Sequence, residues 1–115
     1  MDEIMVILKA MADETRLNIL NLLLTHDFCV GALAKRINMS EAAISQHLQV
    51  LRRAGLVRGE KKGYFTHYWV DRDVIIKAAE EIKKIASQSM KCEGSCHKNL
   101  LDDAKYCRKK DDADV

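Results

Sequence analysis

Apolar and polar positions alternate with a helical period in the middle of the chain, where the pattern is most regular. Ile44, Leu48 and Leu51 recur at intervals of four and three residues, which is the spacing of the buried face of a helix. Ser40 precedes this run as a typical N-cap, and Gly55 follows it as a typical C-cap. A shorter helix comes before Ser40 across a tight turn, so the stretch predicts a helix-turn-helix.

The other face of the longer helix carries small, amide and basic side chains, namely Ala42, Ser45, Gln46, Gln49 and Arg52 or Arg53. Such a face can enter the major groove of DNA and hydrogen-bond to base edges. A two-helix corner with a solvated polar face is the plain alternative. Two β-like runs, residues 56–58 and 64–70, then flank a polar stretch and predict a hairpin. A hairpin directly after a helix-turn-helix is a wing, which favours DNA binding.

Helical spacing continues on both sides of this unit. Residues 2–11 predict a first helix, and residues 15–24 a second one that is apolar on nearly every side and is therefore expected to be buried. After the hairpin, a long helix to about Ser89 has a coiled-coil-like seam, which either packs on its own domain or joins the first helix in a dimer interface. We expect a mainly α fold with a β-hairpin wing, a winged helix-turn-helix that dimerises through its first and last helices. The predicted N-caps are Asp13 and Asp71 or Asp73, and the seam residues are Ile75, Ala78, Ile82, Ile85 and Ser89.

Composition limits the classes of protein. With 115 residues, no proline and no apolar run long enough to cross a bilayer, the chain predicts one globular domain over residues 1–89 and a tail over residues 90–115. The acidic first residues do not resemble a secretory signal, so we expect a cytoplasmic protein with reduced thiols and no membrane partner. The sequence contains no glycine-rich phosphate loop, catalytic triad or apolar carboxylate pair, which argues against an enzyme and against an organic cofactor.

The net charge of +2 is unevenly distributed. Residues 1–27 carry a net charge of −3, residues 28–70 carry +5, and residues 71–115 are neutral. The positive charge therefore coincides with the predicted winged helix, where basic side chains can neutralise DNA phosphates. A protein-interaction module on the same fold is the alternative of another class, and it has no need of this charge. The candidate phosphate contacts are Lys35, Arg36, Arg52, Arg53, Arg58, Lys61 and Lys62.

Two motifs in register resemble the ArsR/SmtB family of metal-sensing transcriptional repressors. They are KAMADETRLNIL, residues 9–20, and the run over residues 40–57 that ends in HLQVLRRAGLV. The similarity covers residues 4 to about 88, and it implies a homodimer that binds a palindromic double-stranded DNA operator until an inducer releases it. It also implies DNA contacts from the recognition helix by Ser40, Ala42, Ser45, Gln46 and His47, and from the wing tip by Lys61, Lys62 and Gly63.

The inducer site departs from that family. Phe28-Cys29-Val30-Gly31 aligns with the Cys-Val-Cys of the family's third helix, but Gly31 stands where the second thiol would be. The predicted last helix contains no histidine, so the zinc-type site that the family has on that helix is not expected either.

A cysteine-rich segment of the tail offers other ligands. Cys92, Cys96, His97 and Cys107 fall within sixteen residues. Thiolates with an imidazole suit Zn²⁺, Cd²⁺ or Pb²⁺, and three thiolates suit As(III). We therefore expect a sensor of a soft metal or metalloid that uses Cys92, Cys96 and one of Cys107, His97 or Cys29.

Two alternatives remain open for these thiols. A thiol switch of the same fold would release DNA when two cysteines form a disulfide or polysulfide. The plainest alternative is that Cys29 belongs to the core and that the tail is a charged appendage without a sensing role.

Overall fold

The computed structural model describes residues 2–91. Five helices and three strands follow one another in that part of the chain. They are α1 (Asp2–Met11), α2 (Glu14–Thr25), β1 (Phe28–Cys29), α3 (Val30–Ile37), α4 (Glu41–Arg53), β2 (Val57–Lys62), β3 (Phe65–Val70) and α5 (Arg72–Ala86). Residues 1–82 belong to one compact unit, and a second unit begins at Lys83. The predicted ligands Cys92, Cys96, His97 and Cys107 lie outside the described residues.

The helix-turn-helix of α3 and α4 forms because its boundaries are determined by neighbouring residues. Asn38 turns the chain after α3 with a left-handed φ of 65°. Ser40 Oγ accepts a hydrogen bond of 3.1 Å from the backbone N–H three residues later, which caps α4. At the other end, the N–H groups of Gly55 and Leu56 each bond back to carbonyls of the last turn at 3.0 Å. This pairing is a Schellman motif, and it requires the positive φ of Gly55, 80°.

The core lies where α2, α3, α4 and the hairpin meet. Ile44, Leu48 and Leu51 of α4 are fully buried, as their spacing predicts. The other large side chains that are fully buried among the described residues are Ile19, Leu20, Leu33 and Leu56. In contrast, Leu17 of α2 is 45% exposed, so the prediction of a helix buried on nearly every side is wrong in part. The buried side chains of α2 lie on the side of the helix that faces its packing partners.

The wing is a longer hairpin than its sequence pattern predicts. The antiparallel pairing of β2 with β3 continues until Lys62 lies opposite Phe65, so the connection contains only Gly63 and Tyr64. Gly63 has a φ of 66°, as the first central residue of a type II′ turn requires. The prediction that residues 59–63 form a polar connection is therefore wrong for residues 59–62 and holds only for Gly63. Pairing with β3 holds most of them in a strand although their composition is typical of a turn.

The sheet has the strand order β1-β3-β2, and the sequence pattern does not predict β1. In this short strand Phe28 lies opposite Tyr68, and Cys29 lies opposite His67. On the other side of β3, Gly59 faces Tyr68, whose Cε1 atom lies 2.9 Å from the place a Cβ at position 59 would occupy. A side chain there would collide with the ring, so glycine allows Tyr68 to pack into the core.

The first helix and the last helix expose apolar side chains. On α1, Met5 is 49% and Val6 is 52% exposed, and on α5, Ile76 is 53% exposed. Ala78, a predicted seam residue, is buried, so part of the seam packs within its own domain. The exposed positions leave an apolar surface available on both helices.

Helix α5 ends at Ala86, earlier than the predicted end near Ser89. The backbone N–H of Ser87 still bonds to the carbonyl oxygen of Lys83 at 2.9 Å, and its hydroxyl donates to the same oxygen at 2.8 Å. The next backbone bond, from Gln88 to Ile85 at 3.4 Å, spans three residues instead of four, so the α-helical pattern stops here. None of the helices within residues 2–91 has the length and apolar content to cross a bilayer.

Candidate nucleic-acid interface

The outward face of α4 is polar and exposed from one end to the other. The buried residues Ile44, Leu48 and Leu51 hold the opposite face against the core, so the outward side chains point to solvent. Ser40, just before the helix, accepts the cap hydrogen bond, and its own O–H proton stays available to a phosphate. The exposed predicted contacts on the helix are Ala42, Ser45, Gln46, Gln49 and Arg52.

His47 differs from the other predicted contacts of α4 because it is half-buried and turned inward. Its Nδ1 atom lies 3.4 Å from Nη1 of Arg16 and 3.9 Å from Oδ2 of Asp13. Both partners belong to the beginning of α2. This edge of the imidazole therefore faces another helix of the protein rather than the surface where DNA would lie.

Asp13 caps α2, as predicted. Its Oδ2 atom accepts a hydrogen bond of 3.0 Å from the backbone N–H of Arg16. That bond, helped by the positive charge of Arg16 and by His47, outweighs the opposing effect of burial and lowers the pKa of the Asp13 carboxyl. The carboxylate also suits the positive end of the helix dipole.

Two predicted phosphate contacts in the wing have carboxylate partners. Arg58 directs Nη2 and Nε at Oδ2 of Asp71, at 3.2 and 3.3 Å. Nζ of Lys62 lies 3.8 Å from Oδ2 of Asp27. Both pairs are at the surface, where such interactions are weak. These ion pairs orient the two basic side chains but leave them accessible to a DNA backbone.

The other basic side chains are less constrained. The guanidinium carbon of Arg52 lies 6.0 Å from the ring centroid of Tyr68, within the range of a cation–π contact. Tyr64 stands beside the basic side chains at the tip of the wing and is 98% exposed. The sequence pattern does not single out Tyr64, because only the two-residue turn places it at the tip. Within residues 2–91, no ion pair is formed by Lys35, Arg36, Arg53 or Lys61.

Cys29 lies where the wing sheet meets α3. It is a free, half-buried thiol directly before the first residue of α3, and its side chain makes no cap hydrogen bond. Across the sheet it faces His67, whose buried Nδ1 atom is 3.2 Å from Oδ1 of Asp27 without the alignment of a hydrogen bond. An open depression of about 640 Å³ adjoins the thiol and is lined in part by Gly31, Lys35 and Glu41.

The described residues supply too few metal ligands at this point. Within residues 2–91, no group of three or more His, Cys, Asp or Glu side chains is arranged to hold a metal ion. A Cβ at Gly31 would meet only Oε2 of Glu41, at 3.7 Å. There is therefore space for a second thiol beside Cys29.

Sequence comparison relates the chain to bacterial transcriptional regulators. Residues 13–58 match the family described as "Bacterial regulatory protein, arsR family". The chain is 39% identical over 84 residues to the transcriptional activator HlyU of Vibrio cholerae, an alignment that covers 73% of this chain and 78% of that protein. It is 38% identical over 87 residues to the arsenical resistance operon repressor of Escherichia coli, covering 74% of this chain and 70% of that protein.

Solved structures share the fold. A homodimeric winged helix-turn-helix DNA-binding domain from Mycobacterium bovis has a TM-score of 0.63 at 31% identity, and the match covers 74% of this chain and 79% of that one. The structure of reduced HlyU from Vibrio cholerae has a TM-score of 0.61 at 39% identity, covering 76% and 92%. These similarities confirm the predicted winged helix-turn-helix.

Proposed function

Because the chain belongs to the arsR family of bacterial regulatory proteins, we propose that it is a transcriptional repressor that a soft metal or metalloid ion releases from its operator. The observation that carries the proposal is the exposed polar face of α4, fixed by a buried apolar face. Ser45, Gln46 and Gln49 offer hydrogen-bond donors and acceptors to base edges. Unpaired cations such as Lys61 offer charge to the phosphates.

We propose that the protein acts as a homodimer on a palindromic operator. The exposed apolar side chains Met5 and Val6 of α1 and Ile76 of α5 support this assembly, because a partner copy would remove them from water. The similar domain from Mycobacterium bovis is described as homodimeric. A two-fold dimer brings two recognition helices to half-sites roughly 34 Å apart, one turn of DNA.

The inducer we propose is As(III), Cd²⁺, Pb²⁺ or Zn²⁺, bound by Cys92, Cys96 and one of Cys107, His97 or Cys29. Thiolates and imidazole are the donors that such soft ions prefer. The name of the Escherichia coli relative, an arsenical resistance operon repressor, supports a metalloid. Because thiols must lose their protons to bind, affinity for the ion should rise with pH.

A thiol switch is the second candidate, and two observations favour it. Cys29 is a free thiol, and the structural relatives include HlyU in its reduced form. In this case two cysteine thiols would be oxidised to a disulfide while a persulfide is reduced to a thiol and hydrogen sulfide, with no metal involved. The repressor would lose DNA affinity in the oxidised state and regain it on reduction.

A DNA-release titration separates these candidates. A duplex selected by the protein from a random-sequence library serves as the probe, and reduced protein is titrated with As(III), Cd²⁺, Pb²⁺, Zn²⁺ and a persulfide donor. We expect release by at least one ion in the absence of oxidant, and loss of that release in Cys92→Ser or Cys96→Ser. Normal release in both variants would contradict the assignment to the tail, and release only by the persulfide donor would favour the thiol switch.

Salt dependence separates DNA binding from the alternative of a protein-interaction module. For a protein that neutralises phosphates, the logarithm of DNA affinity falls linearly with the logarithm of salt concentration. Failure of the protein to select any duplex at low salt would contradict the DNA-binding proposal.

A further inference from the structure

One arginine completes the hydrogen bonding at the C-terminal end of α1. The carbonyls of the last four residues of a helix have no partner inside it. Backbone N–H groups just after α1 bond to two of them, on Leu8 and Met11, at 2.9 and 2.8 Å. The other two belong to Lys9 and Ala10, and Arg16 serves both. Its Nε donates to the Ala10 carbonyl at 2.6 Å and its Nη2 to the Lys9 carbonyl at 3.4 Å.

The same guanidinium reaches the recognition helix. Its third nitrogen, Nη1, lies 3.4 Å from Nδ1 of His47 on α4. A guanidinium can only donate, so Nδ1 is the acceptor where this contact is a hydrogen bond. Asp13 accepts the backbone N–H of Arg16, and its Oδ2 atom lies 3.9 Å from the same imidazole nitrogen. Asp13, Arg16 and His47 thus form one polar cluster, the Arg16 cluster, that joins α1, α2 and α4.

This cluster adds directional contacts to the apolar packing of the helices. The hydrophobic effect itself is non-directional, and close packing restricts the angle between helices only through the fit of their side chains. Hydrogen bonds weaken steeply when their geometry departs from the optimum. The contacts of Arg16 with the Ala10 carbonyl and with His47 therefore restrict the angle between α1 and α4.

That angle has a consequence for DNA binding. In the proposed dimer, α1 carries the exposed residues Met5 and Val6 towards the partner, and α4 carries the base-contacting face. The angle between them then fixes the distance between the two recognition helices. We propose that the contact between Arg16 and His47 is the joint that sets which half-site spacing the dimer accepts. Both are positioning residues, and the inference rests on the proposed function.

The test measures spacing preference as well as affinity. A palindromic duplex selected by the wild-type protein is compared with duplexes in which the centre is lengthened or shortened by about one base pair, a change of about 3.4 Å along the axis. His47→Leu removes the acceptor and replaces the imidazole with an apolar side chain. We expect its preference for the selected spacing to fall about tenfold, which corresponds to about 1.4 kcal/mol. His47→Asn places Oδ1 near the position of Nδ1, and it should retain most of the preference.

A second variant and a control complete the experiment. Arg16→Lys keeps the positive charge but loses the planar fork that reaches three acceptors. It should reduce the spacing preference as His47→Leu does. A variant with both substitutions should lose little more of the preference, because each substitution breaks the same contact. His26→Leu is the matched control, since His26 lies in an exposed position outside the cluster. Its spacing preference should equal that of the wild type.

Two results would overturn the proposal. If His47→Leu weakens binding equally at every spacing, the contact does not act as a joint. If His47→Leu relaxes base preference and leaves spacing preference intact, His47 reads DNA directly. Should Arg16→Lys fail to fold, the His47 variants still decide between these outcomes. A wild-type protein that selects no duplex would remove the proposed function and this inference with it, whereas unchanged spacing preference in a DNA-binding His47→Leu protein removes the joint alone.

Discussion

The recognition helix and the wing both present polar side chains to solvent, but different forces hold them in place. Helix α4 is anchored by Leu48 and its buried neighbours and is capped at both ends. The hairpin is anchored at its base, where Tyr68 and Val70 enter the core, and its tip is almost bare, with Tyr64 98% exposed. Buried, close-packed side chains permit little displacement. A hairpin tip held by strand pairing and surface ion pairs has more freedom.

This difference assigns different tasks to the two elements. Hydrogen bonds to base edges demand accurate placement of the side chains that make them, and the buried face of α4 provides it. Contacts to phosphates depend on charge more than on geometry, and the wing has charge at Lys61 and Lys62. We therefore expect the helix to carry sequence discrimination and the wing to carry affinity common to all sequences.

The largest effect should come from the anchor of the recognition helix. Leu48→Ala removes a fully buried side chain and leaves a cavity, so we expect the free energy of unfolding to fall by about 2–5 kcal/mol. Tyr64→Ala is the control at the wing tip and should change it by less than about 0.5 kcal/mol. Urea unfolding followed by circular dichroism measures both. Equal losses in the two variants would contradict the contrast between helix and wing.

The next effect separates discrimination from affinity. Ser45→Ala with Gln46→Ala should reduce the preference for the selected duplex over a scrambled one by about 1–3 kcal/mol for each base that the helix no longer hydrogen-bonds. Lys61→Ala with Lys62→Ala should weaken binding to both duplexes alike and lower the salt slope by about 1 for each lysine. Fluorescence anisotropy at several salt concentrations measures both quantities. If the two double variants behave identically, the division of tasks is wrong.

Those parts of the fold that depend on neighbouring residues are predictable from sequence. The caps Asp13, Ser40 and Gly55 act within a few residues of their helices, and the buried face of α4 repeats with the helical period. The end of α5 is predicted less accurately, because the apolar period continues to Ser89 whereas the helix ends at Ala86.

The contacts between distant parts of the sequence are not predictable in this way. A strand of two residues, β1, is too short to show an alternating pattern, and residues 59–62 resemble a turn but pair with β3 as a strand. Arg16 and His47 are 31 positions apart, so nothing local connects them. The thiol of Cys29 is evident in the sequence, but its position opposite His67 depends on the sheet register. The tail ligands Cys92 and Cys96 stay a prediction.

A pH-dependent effect should appear beside the recognition helix. In the folded protein the pKa of Asp13 is lowered, mainly because the carboxylate accepts the backbone N–H of Arg16. Its ionised form therefore stabilises the fold above the unfolded pKa of about 3.9, and this contribution disappears as pH falls through the lower folded value. Asp13→Asn keeps a cap acceptor without the charge. It should be less stable than the wild type at neutral pH, with a difference that shrinks in acid.

Urea unfolding at neutral pH and at two acidic pH values tests this expectation. The wild-type curve should lose stability faster than the Asp13→Asn curve as the carboxylate is protonated. A difference that is constant over the whole range would mean that Asp13 acts only as a hydrogen-bond acceptor.

The smallest effect should come from the ion pair at the base of the wing. Arg58 and Asp71 contact each other at 3.2 Å on the surface, and such pairs contribute about 0.2–1 kcal/mol at low salt. Arg58→Ala should reduce the free energy of unfolding by no more than this. The difference should be smaller in molar salt, where the Debye screening length is only about 3 Å. Trp69, the only tryptophan of the chain, lies opposite Arg58 in the sheet and reports unfolding by its fluorescence. The free energy of unfolding of Arg58→Lys should lie between those of the wild type and Arg58→Ala, because lysine keeps the charge without the guanidinium fork. A loss as large as that of Leu48→Ala would mean that the wing is held as firmly as the recognition helix, and the freedom inferred for its tip would have to be abandoned.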